Sequence, residues 1–316
     1  MNILITGAAG NLGSHLARHL LAGPHRLTLL EHRRPVSADI ARAINVSIVR
    51  ADLGDPSSLA APCRGVDCIV HFAGLLFAPR PQRFLPRTNL GYVQHLTTAA
   101  LEAGVRKFIL VSFPHVEGES TPQAPARGLP EGRPPTSVHA RTRLAAERHL
   151  FAASAGTAMT PVALRAGMIY ARGVLMIDAA RWLMRRRLLG VWRRTTWIHL
   201  LALPDFLTAT AAAIDGPTIS GIYNLGDDRP LTLQEFLDAV AAHWSYPRPW
   251  HAPAWTFYAA GAVCEAAAAL LRTPSPLTRD FIRIGMASYV MDTTRMKREL
   301  LPRLAYPRLD DGLSLF

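Results

Sequence analysis

Short apolar runs alternate with segments of helical spacing through the first half of the chain. Residues 3–5 are the first run, and Leu16, Leu20 and Leu21 follow at helical spacing. Similar runs predict further strands at Arg26–Glu31, 46–53, 67–74, 107–113, 160–167 and 221–226. Short apolar runs separated by helices are typical of a parallel sheet buried on both faces. The pattern therefore predicts an α/β protein with a doubly wound parallel sheet, whose ligand binds at the carboxyl ends of the strands.

Amphipathic segments predict the helices between and after these strands. They lie at 87–104, 138–153 and 231–244, and Thr232 with Glu235 forms a capping box in the last of them. Residues 117–135 are rich in Pro, Gly and Glu, which predicts a loop too polar to pack. The chain after residue 244 is alanine-rich and predicted to be helical as far as residue 302.

The stretch TGAAGNLG, residues 6–13, connects the first strand directly to the first helix. Such a turn leaves the first helical N–H groups unpaired at the positive end of the helix dipole, where an anion can bind. Glycine keeps side chains away from that anion and supplies unusual dihedral angles. The stretch therefore predicts a phosphate site.

Composition narrows the class of protein. Hydrophobic residues make up 49% of the 316 residues and charged residues 18%, which excludes a disordered chain. Three cysteines, at 63, 68 and 264, show no metal-ligand spacing, and no metal site is predicted. No secretory signal is visible. No uninterrupted apolar run reaches spanning length, since the longest candidate, 255–271, carries Glu265. These features predict a soluble, cytoplasmic protein.

The charge is less ordinary, because 35 basic residues against 23 acidic ones give a net charge of +12. A dense arginine cluster lies at residues 181–194, RWLMRRRLLGVWRR. It is interpreted first as a solvated helix face. The alternatives are an anion trap for a diphosphate-bearing substrate and a contact with an anionic membrane. No nucleic-acid motif accompanies the charge, so no nucleic-acid partner is predicted.

Several segments together resemble the extended short-chain dehydrogenase/reductase family, also called the NAD-dependent epimerase/dehydratase family. The likeness rests on the T-G-x-x-G-x-x-G motif at 6–13, Asp52-Leu53, HFAG at 71–74, Asn89, LRAGMIY at 164–170 and GIYNLGDDRPLTLQEFLDAV at 221–240. It implies a Rossmann-type domain that binds NAD or NADP, formed by residues 1–170 with 196–226 returning to it. A smaller, mostly helical lobe for the substrate would comprise residues 171–195 and 227–316.

The resemblance also assigns cofactor contacts residue by residue. It implies that the pyrophosphate lies against Gly7, Gly10 and Gly13 and accepts from the backbone N–H groups of Asn11 and Leu12. The adenine would contact Asp52 and Leu53, and the nicotinamide would contact Ala73 and Gly74.

The choice between NAD and NADP depends on the end of the second strand. Glu31 can accept both ribose hydroxyl groups of NAD and repels a 2′-phosphate. Arg33 and Arg34 follow, and guanidinium groups suit that phosphate. NAD is the predicted cofactor, with NADP as the alternative.

The helix at 138–153 departs from the family's catalytic pattern of a tyrosine and a lysine four residues later. His139 stands at the tyrosine position and Arg143 at the lysine position, on one helix face. Histidine serves as general acid or base, and an adjacent arginine would lower its pKa and keep the imidazole basic. Arg143 can still hydrogen-bond the cofactor ribose. The opposing interpretation is a catalytically silent pocket.

The predicted strand at 107–113 ends beside further candidate groups. The family's catalytic hydroxyl aligns with Phe113, next to Ser112, and His115 and Glu117 follow just beyond the strand. Ser112, His115, His139 and Arg143 are therefore the catalytic candidates.

Three functions follow from these residues. The first is an NAD(P)-dependent oxidoreductase or epimerase acting on a carbonyl or secondary alcohol of a sugar nucleotide or lipid-like molecule. The second is a catalytically silent dinucleotide sensor. The third is a peripheral membrane enzyme for a lipid alcohol, because the aromatic residues from Trp250 to Tyr258 precede an apolar stretch beside the arginine cluster. The resemblance implies a homodimer through the helices at 87–104 and 138–153.

Overall fold

The structure, a computed structural model, describes residues 1–72, 81–130, 132–271, 273, 275 and 277–316. Within these residues, seven parallel strands form one sheet, and the shorter strands form two-stranded pairs beside it. The strands are β1 (Asn2–Thr6), β2 (Arg26–Glu31), β3 (Val46–Arg50), β4 (Cys68–His71), β5 (Lys107–Ser112), β6 (Thr160–Ala166), β7 (Met168–Tyr170), β8 (Gly190–Trp192), β9 (Trp197–Ile198), β10 (Leu200–Ala202), β11 (Gly221–Leu225), β12 (Leu231–Thr232) and β13 (Trp250–Ala252).

Helices cover both faces of this sheet and make up most of the C-terminal region. They are α1 (Asn11–Leu20), α2 (Ala38–Ala41), α3 (Ala60–Cys63), α4 (Pro81–Leu85), α5 (Tyr92–Glu102), α6 (Val138–Ser154), α7 (Leu175–Arg185), α8 (Leu203–Asp215), α9 (Leu233–His243), α10 (Ala254–Leu271), α11 (Arg279–Met286), α12 (Thr294–Glu299) and α13 (Leu309–Gly312). A π-helical segment, Pro86–Gly91, joins α4 to α5, and 3-10 turns lie at Pro56–Ser58, Pro114–Glu117 and Leu313–Leu315.

The strand order is β11-β6-β5-β4-β1-β2-β3. Because β1 lies between β2 and β4, the order reverses there, and the carboxyl ends of β1 and β4 flank the crevice where this class of sheet binds ligands. The predicted doubly wound parallel sheet is confirmed. The division of the chain into two lobes stays a prediction.

Two hydrophobic cores explain why the strands are apolar throughout. Ile3 and Ile5 pack with Leu16 of α1 on one face of the sheet. Leu4 between them packs on the other face with Ile69 and Phe108. Since alternate side chains of β1 enter opposite cores, the run needs apolar residues at every position.

The segment 117–135 differs from the expectation that it is too polar to pack. Glu117, Ser120 and Ala126 are buried. The Ser120 hydroxyl donates to the Val290 carbonyl at 2.8 Å and accepts from the Val290 N–H at 2.9 Å, and the Ala126 N–H donates to the same carbonyl at 2.8 Å. The segment packs because the backbone around Val290 satisfies its polar groups.

Helix α10 corrects a second expectation. It contains 18 residues with a mean hydropathy of 1.4, so by length and composition alone it could cross a membrane. Only 11% of it is buried. The expectation considered only uninterrupted apolar runs and therefore missed this helix, which begins before Trp255 and includes the single charge of Glu265.

Candidate active site

The glycine turn follows β1 at the point where the strand order reverses. Gly7 has φ = +75°, and its carbonyl accepts the Gly10 N–H at 2.8 Å. A Cβ on Gly13 would lie 2.3 Å from that carbonyl oxygen, and one on Gly10 would lie 2.9 Å from it. Among the residues that the structure describes, no side chain caps the start of α1. The turn thus keeps the N-terminus of α1 open, which fits the pyrophosphate of a dinucleotide.

Asn11 has a structural partner that the sequence did not indicate. Its amide donates to the Gly173 carbonyl at 2.5 Å and accepts the Leu175 N–H at 3.0 Å. The side chain therefore holds the segment before α7 against the glycine turn. Contacts of the Asn11 and Leu12 backbone with a cofactor stay a prediction.

Glu31 ends β2 on the same edge of the sheet. One carboxylate oxygen accepts the Val36 N–H at 2.7 Å, and the other lies 4.0 Å from Arg50 Nε. Arg33 and Arg34 point to solvent. One oxygen of Glu31 is thus occupied by the hydrogen bond from Val36 in the loop after β2, while the other can accept from a ribose hydroxyl.

Asp52 and Leu53 lie just after β3, which ends at Arg50 rather than continuing to residue 53. The Asp52 carboxylate accepts the Gly54 N–H at 2.8 Å and lies 3.5 Å from His32 Nε2, and Leu53 is buried. The expected nicotinamide contacts, Ala73 and Gly74, lie outside the described residues.

Helix α6 carries a buried polar stripe formed by His139, Arg143 and Glu147 at successive intervals of four residues. The Arg143 guanidinium donates to the carbonyl of Val111, near the end of β5, at 3.3 Å. Burial lowers the pKa of Arg143 to about 10, against the opposing effect of Glu147, so the side chain stays charged at neutral pH. The His139–Arg143 pair therefore faces the carboxyl end of the sheet.

The His139 ring belongs to a row of aromatic side chains. It meets Phe113 edge-on at 5.1 Å, Phe113 lies 5.1 Å from His115, and His115 lies 4.5 Å from Tyr289. Among the described residues, no hydrogen bond to the His139 ring is found, whereas His115 donates to the Ile284 carbonyl at 3.1 Å. Within the described part of the chain, the second ring nitrogen of His115, Nδ1, is buried without a partner, so both rings keep hydrogen-bonding capacity. The catalytic role expected of His115 stays a prediction.

Burial lowers the pKa of His139 to about 3, with Arg143 and then His115 as smaller causes. Burial likewise lowers the pKa of His115 to about 4. The expected lowering of the His139 pKa agrees in direction, although burial rather than Arg143 is its largest cause. The role of His139 as general acid or base stays a prediction. A group with so low a pKa is neutral at neutral pH and a weak base. It serves better as a neutral hydrogen-bond donor.

Ser112 ends β5 and is buried. Within the described parts of the chain, its hydroxyl oxygen has no hydrogen-bond partner. An unpaired buried hydroxyl is costly, so it is a position where a bound molecule gains a hydrogen bond.

Glu117, which the sequence analysis placed near the active site, has a structural role instead. Arg165 on β6 is fully buried and bridges Glu117 at 2.5 Å and Glu147 at 2.6 Å. The Glu117 carboxylate also accepts the N–H groups of Arg127 and Gly128. This ion triad fixes α6 to the sheet and to the segment after β5.

The sequence analysis did not identify Asp280 on α11 as a residue of the site. Its carboxylate accepts the backbone N–H groups of Val138 at 3.0 Å and His139 at 3.4 Å, beside the Ser137 hydroxyl that caps α6. Thr278 and Asp280 mark a helix start in the sequence, but no local signal indicates that the carboxylate serves a helix more than 100 residues away.

A cleft of about 710 Å³ opens beside this contact, between α4, α10 and α11. Its α10 side carries Tyr258, three alanines and Glu265, and Arg279 and Arg283 stand on the α11 side. Asp280, whose carboxylate accepts the backbone N–H of His139, also lines the cleft.

The open glycine turn at the reversal of a doubly wound sheet defines a dinucleotide-binding α/β protein. The model of the NAD dependent epimerase/dehydratase family matches residues 3–226, and the chain belongs to this family. The family resemblance of the sequence is thus confirmed, and NAD is confirmed as the cofactor at the level of the family. The chain is accordingly an oxidoreductase- or epimerase-like enzyme, and a catalytically silent sensor is not favoured.

Two relatives match most of the chain. A 2-alkyl-3-oxoalkanoate reductase of Stenotrophomonas maltophilia is 28% identical, with 99% of this chain and 97% of the relative covered. A ceramide reductase of Caulobacter vibrioides is 30% identical, with 86% of this chain and 80% of the relative covered.

Solved structures show the same fold. A UDP-glucose 4-epimerase of Thermotoga maritima, solved with UDP-glucose, superposes with a TM-score of 0.78 at 18% identity, covering 100% of this chain and 97% of that chain. MoeE5, solved with UDP-glucuronic acid and NAD, gives 0.77 at 22% identity with the same coverage.

Proposed function

We propose that this enzyme is an NAD-dependent reductase that interconverts a ketone and a secondary alcohol on a lipid-like molecule. The observation that carries the proposal is the cleft between α4, α10 and α11, whose α10 wall is formed by Tyr258, three alanines and Glu265. Its lining includes Asp280, whose carboxylate accepts the backbone N–H of His139. The two relatives support it, because both are named as reductases of substrates that carry alkyl chains.

The residues of the chain fit the cofactor as follows. The open N-terminus of α1 would hold the pyrophosphate, and the Glu31 oxygen that does not bond Val36 would accept from the ribose. Arg143 would donate to the ribose on the nicotinamide side. NAD, when bound, supplies or accepts the hydride, and the proton that the substrate oxygen gains or loses would pass to or from solvent through the Ser112 hydroxyl and the His139 imidazole.

The substrate oxygen would receive its hydrogen bonds from two groups of this chain. The neutral His139 imidazole donates one, and the unpaired Ser112 hydroxyl donates the other. Both groups are preorganised by burial, which strengthens their effect on developing negative charge at that oxygen. An apolar chain in the cleft would keep water away from the same place.

The test follows the absorbance of reduced nicotinamide with 2-alkyl-3-oxoalkanoates of increasing chain length. We expect turnover, with KM falling about threefold to fourfold for each added methylene that the cleft buries. UDP-glucose is the competing substrate, and turnover of UDP-glucose alone would contradict the proposal.

Ala262→Leu tests whether the cleft binds the substrate, and Ala260→Leu is its matched control. Ala262 lines the cleft, and the larger side chain should raise KM for the long-chain substrate. Ala260→Leu makes the same change on an exposed position of α10 outside the cleft lining and should leave KM unaltered.

Two partner expectations are proposals as well. One is a homodimer through α5 and α6, which pack on each other. Sedimentation analysis decides it, since one chain has a mass of 34.5 kDa. The other is a peripheral contact with a membrane, with the protein otherwise in the cytoplasm.

A further inference from the structure

Helix α10 turns an apolar side to solvent. Trp255 is 69% exposed, Val263 68% and Leu270 84%. Of its 18 residues, only Gly261 and Ala268 are buried. An exposed apolar surface of this length is unusual for a protein that stays in water and marks an interaction site.

The one charged residue of α10 faces inward. The Glu265 carboxylate accepts the backbone N–H and the Nε of Arg279, both at 2.8 Å. Its charge is thus balanced on the α11 side, and the exposed side of the helix carries only uncharged residues.

Arginines stand beside the start of this helix. β13 pairs with β8, which places Trp250 next to Gly190 and joins α10 to the arginine cluster at 181–194. Trp250 is half exposed and stacks on Phe257 of α10, with ring centroids 5.7 Å apart. Aromatic rings at the junction of apolar and cationic surfaces are typical of segments at the headgroup level of a bilayer.

Most of these arginines are free to bind an anion. Among the described residues, no ion pair is formed by Arg185, Arg186, Arg187 or Arg193, whereas Arg194 lies 3.3 Å from Glu119. The Arg186 guanidinium lies 4.0 Å from the centre of the Trp182 ring, which is itself exposed. The cluster therefore presents cations whose charge no neighbouring carboxylate balances.

The connections of α10 argue against a spanning helix. At its start, β13 is bonded to β8. After its end, α11 returns along it, and Ile282 lies so close to Gly261 that a Cβ there would approach it to 2.8 Å. Since both ends return to the same body, the helix lies along the surface of the protein and has no free end to cross a bilayer.

We propose that the exposed side of α10 lies in the interface of an anionic lipid bilayer, with Trp250 and Trp255 at the headgroup level and the arginines at 185–193 against lipid phosphates. The proposal specifies the membrane contact of the preceding subsection and rests on it, but not on the reaction catalysed. Because the cluster is cationic, it attracts an anionic bilayer, whereas a second copy of this chain would be equally basic and would be repelled.

The test is sedimentation of the full chain with vesicles of phosphatidylglycerol and phosphatidylcholine, compared with phosphatidylcholine alone. Binding should require the anionic lipid and weaken with salt. Arg186→Gln combined with Arg187→Gln should weaken binding about 25-fold, at about fivefold for each arginine. Val263→Glu combined with Leu270→Glu should weaken it more than about tenfold.

Ile44→Glu is the control, because Ile44 is fully exposed outside this surface and undergoes the same change in side chain. It should bind vesicles as the parent does. Absence of vesicle binding by the parent would overturn the proposal, and so would a dimer that Val263→Glu splits. Turnover of a soluble substrate under the same conditions would show that the proposed function stands even where the membrane contact fails.

Discussion

Asp280 accepts the backbone N–H of His139 at 3.4 Å, and this bond ties α11 to the first turn of the helix that carries the candidate catalytic pair. The same carboxylate accepts the Val138 N–H at 3.0 Å. Asp280 also lines the cleft, so a molecule bound there would lie beside the residue whose carboxylate bonds the first turn of α6.

We expect Asp280→Ala to lower kcat about tenfold while the Kd for NAD stays unchanged. The loss of an acceptor at a helix N-terminus costs about 1 kcal/mol and frees the first turn of α6. Asp280→Asn keeps an acceptor oxygen and should restore most of the rate. Asp310→Ala, in the exposed first turn of α13, is the control. A parental kcat for Asp280→Ala would show that the contact does not position His139.

The pH dependence of the rate tests the state of His139. Since burial lowers its pKa to about 3, the imidazole stays neutral from about pH 5 upward, and kcat/KM should show no inflection near the ordinary imidazole value of about 6.5. His139→Ala should lower kcat by about 10²–10³, as for loss of one preorganised donor. An inflection near neutrality that disappears in His139→Gln would contradict a neutral imidazole.

Much of the fold is local enough to be predicted from sequence. The apolar strands, the glycine turn and the capping box of Thr232 and Glu235 depend on neighbours a few residues away. The ion triad of Glu117, Arg165 and Glu147 could not be predicted, because its members come from separate elements and meet only in the folded chain. The extent to which the pKa of His139 is lowered could not be predicted for a similar reason, since burial is a property of the packed site rather than of the sequence around it.

Arg165 provides a test of the triad by stability. Arg165→Met leaves the carboxylates of Glu117 and Glu147 buried without a countercharge and should lower the free energy of unfolding by about 3–5 kcal/mol. Urea denaturation measures the change. The triple variant that adds Glu117→Gln and Glu147→Gln removes those charges and should recover most of the loss. A midpoint equal to that of the parent for Arg165→Met would rule out the anchoring role.

Stability should also fall in mild acid because of His115. Its pKa is about 4 in the folded chain, below the ordinary value of about 6.5 expected for the unfolded chain. Between these values only the unfolded chain takes up the proton, so the free energy of unfolding falls by about 1.4 kcal/mol per pH unit as the pH drops. In His115→Gln this slope should be shallower, whereas above about pH 7 both proteins should show the same slope. Equal slopes in the acid range would mean that His115 titrates alike in both states.

Glu31 allows the cofactor preference to be altered without breaking its loop. Glu31→Gln keeps an oxygen that can accept the Val36 N–H but removes the charge that repels a 2′-phosphate. Arg33 and Arg34 are then free to attract that phosphate. We expect the ratio of the Kd for NADP to the Kd for NAD to fall more than about tenfold, in line with about 1.5–3 kcal/mol for a hydrogen bond to a charged group. Glu102→Gln removes the same charge at the exposed end of α5 and serves as the control. If Glu31→Gln and Glu102→Gln bind the two cofactors alike, the carboxylate of Glu31 does not select NAD.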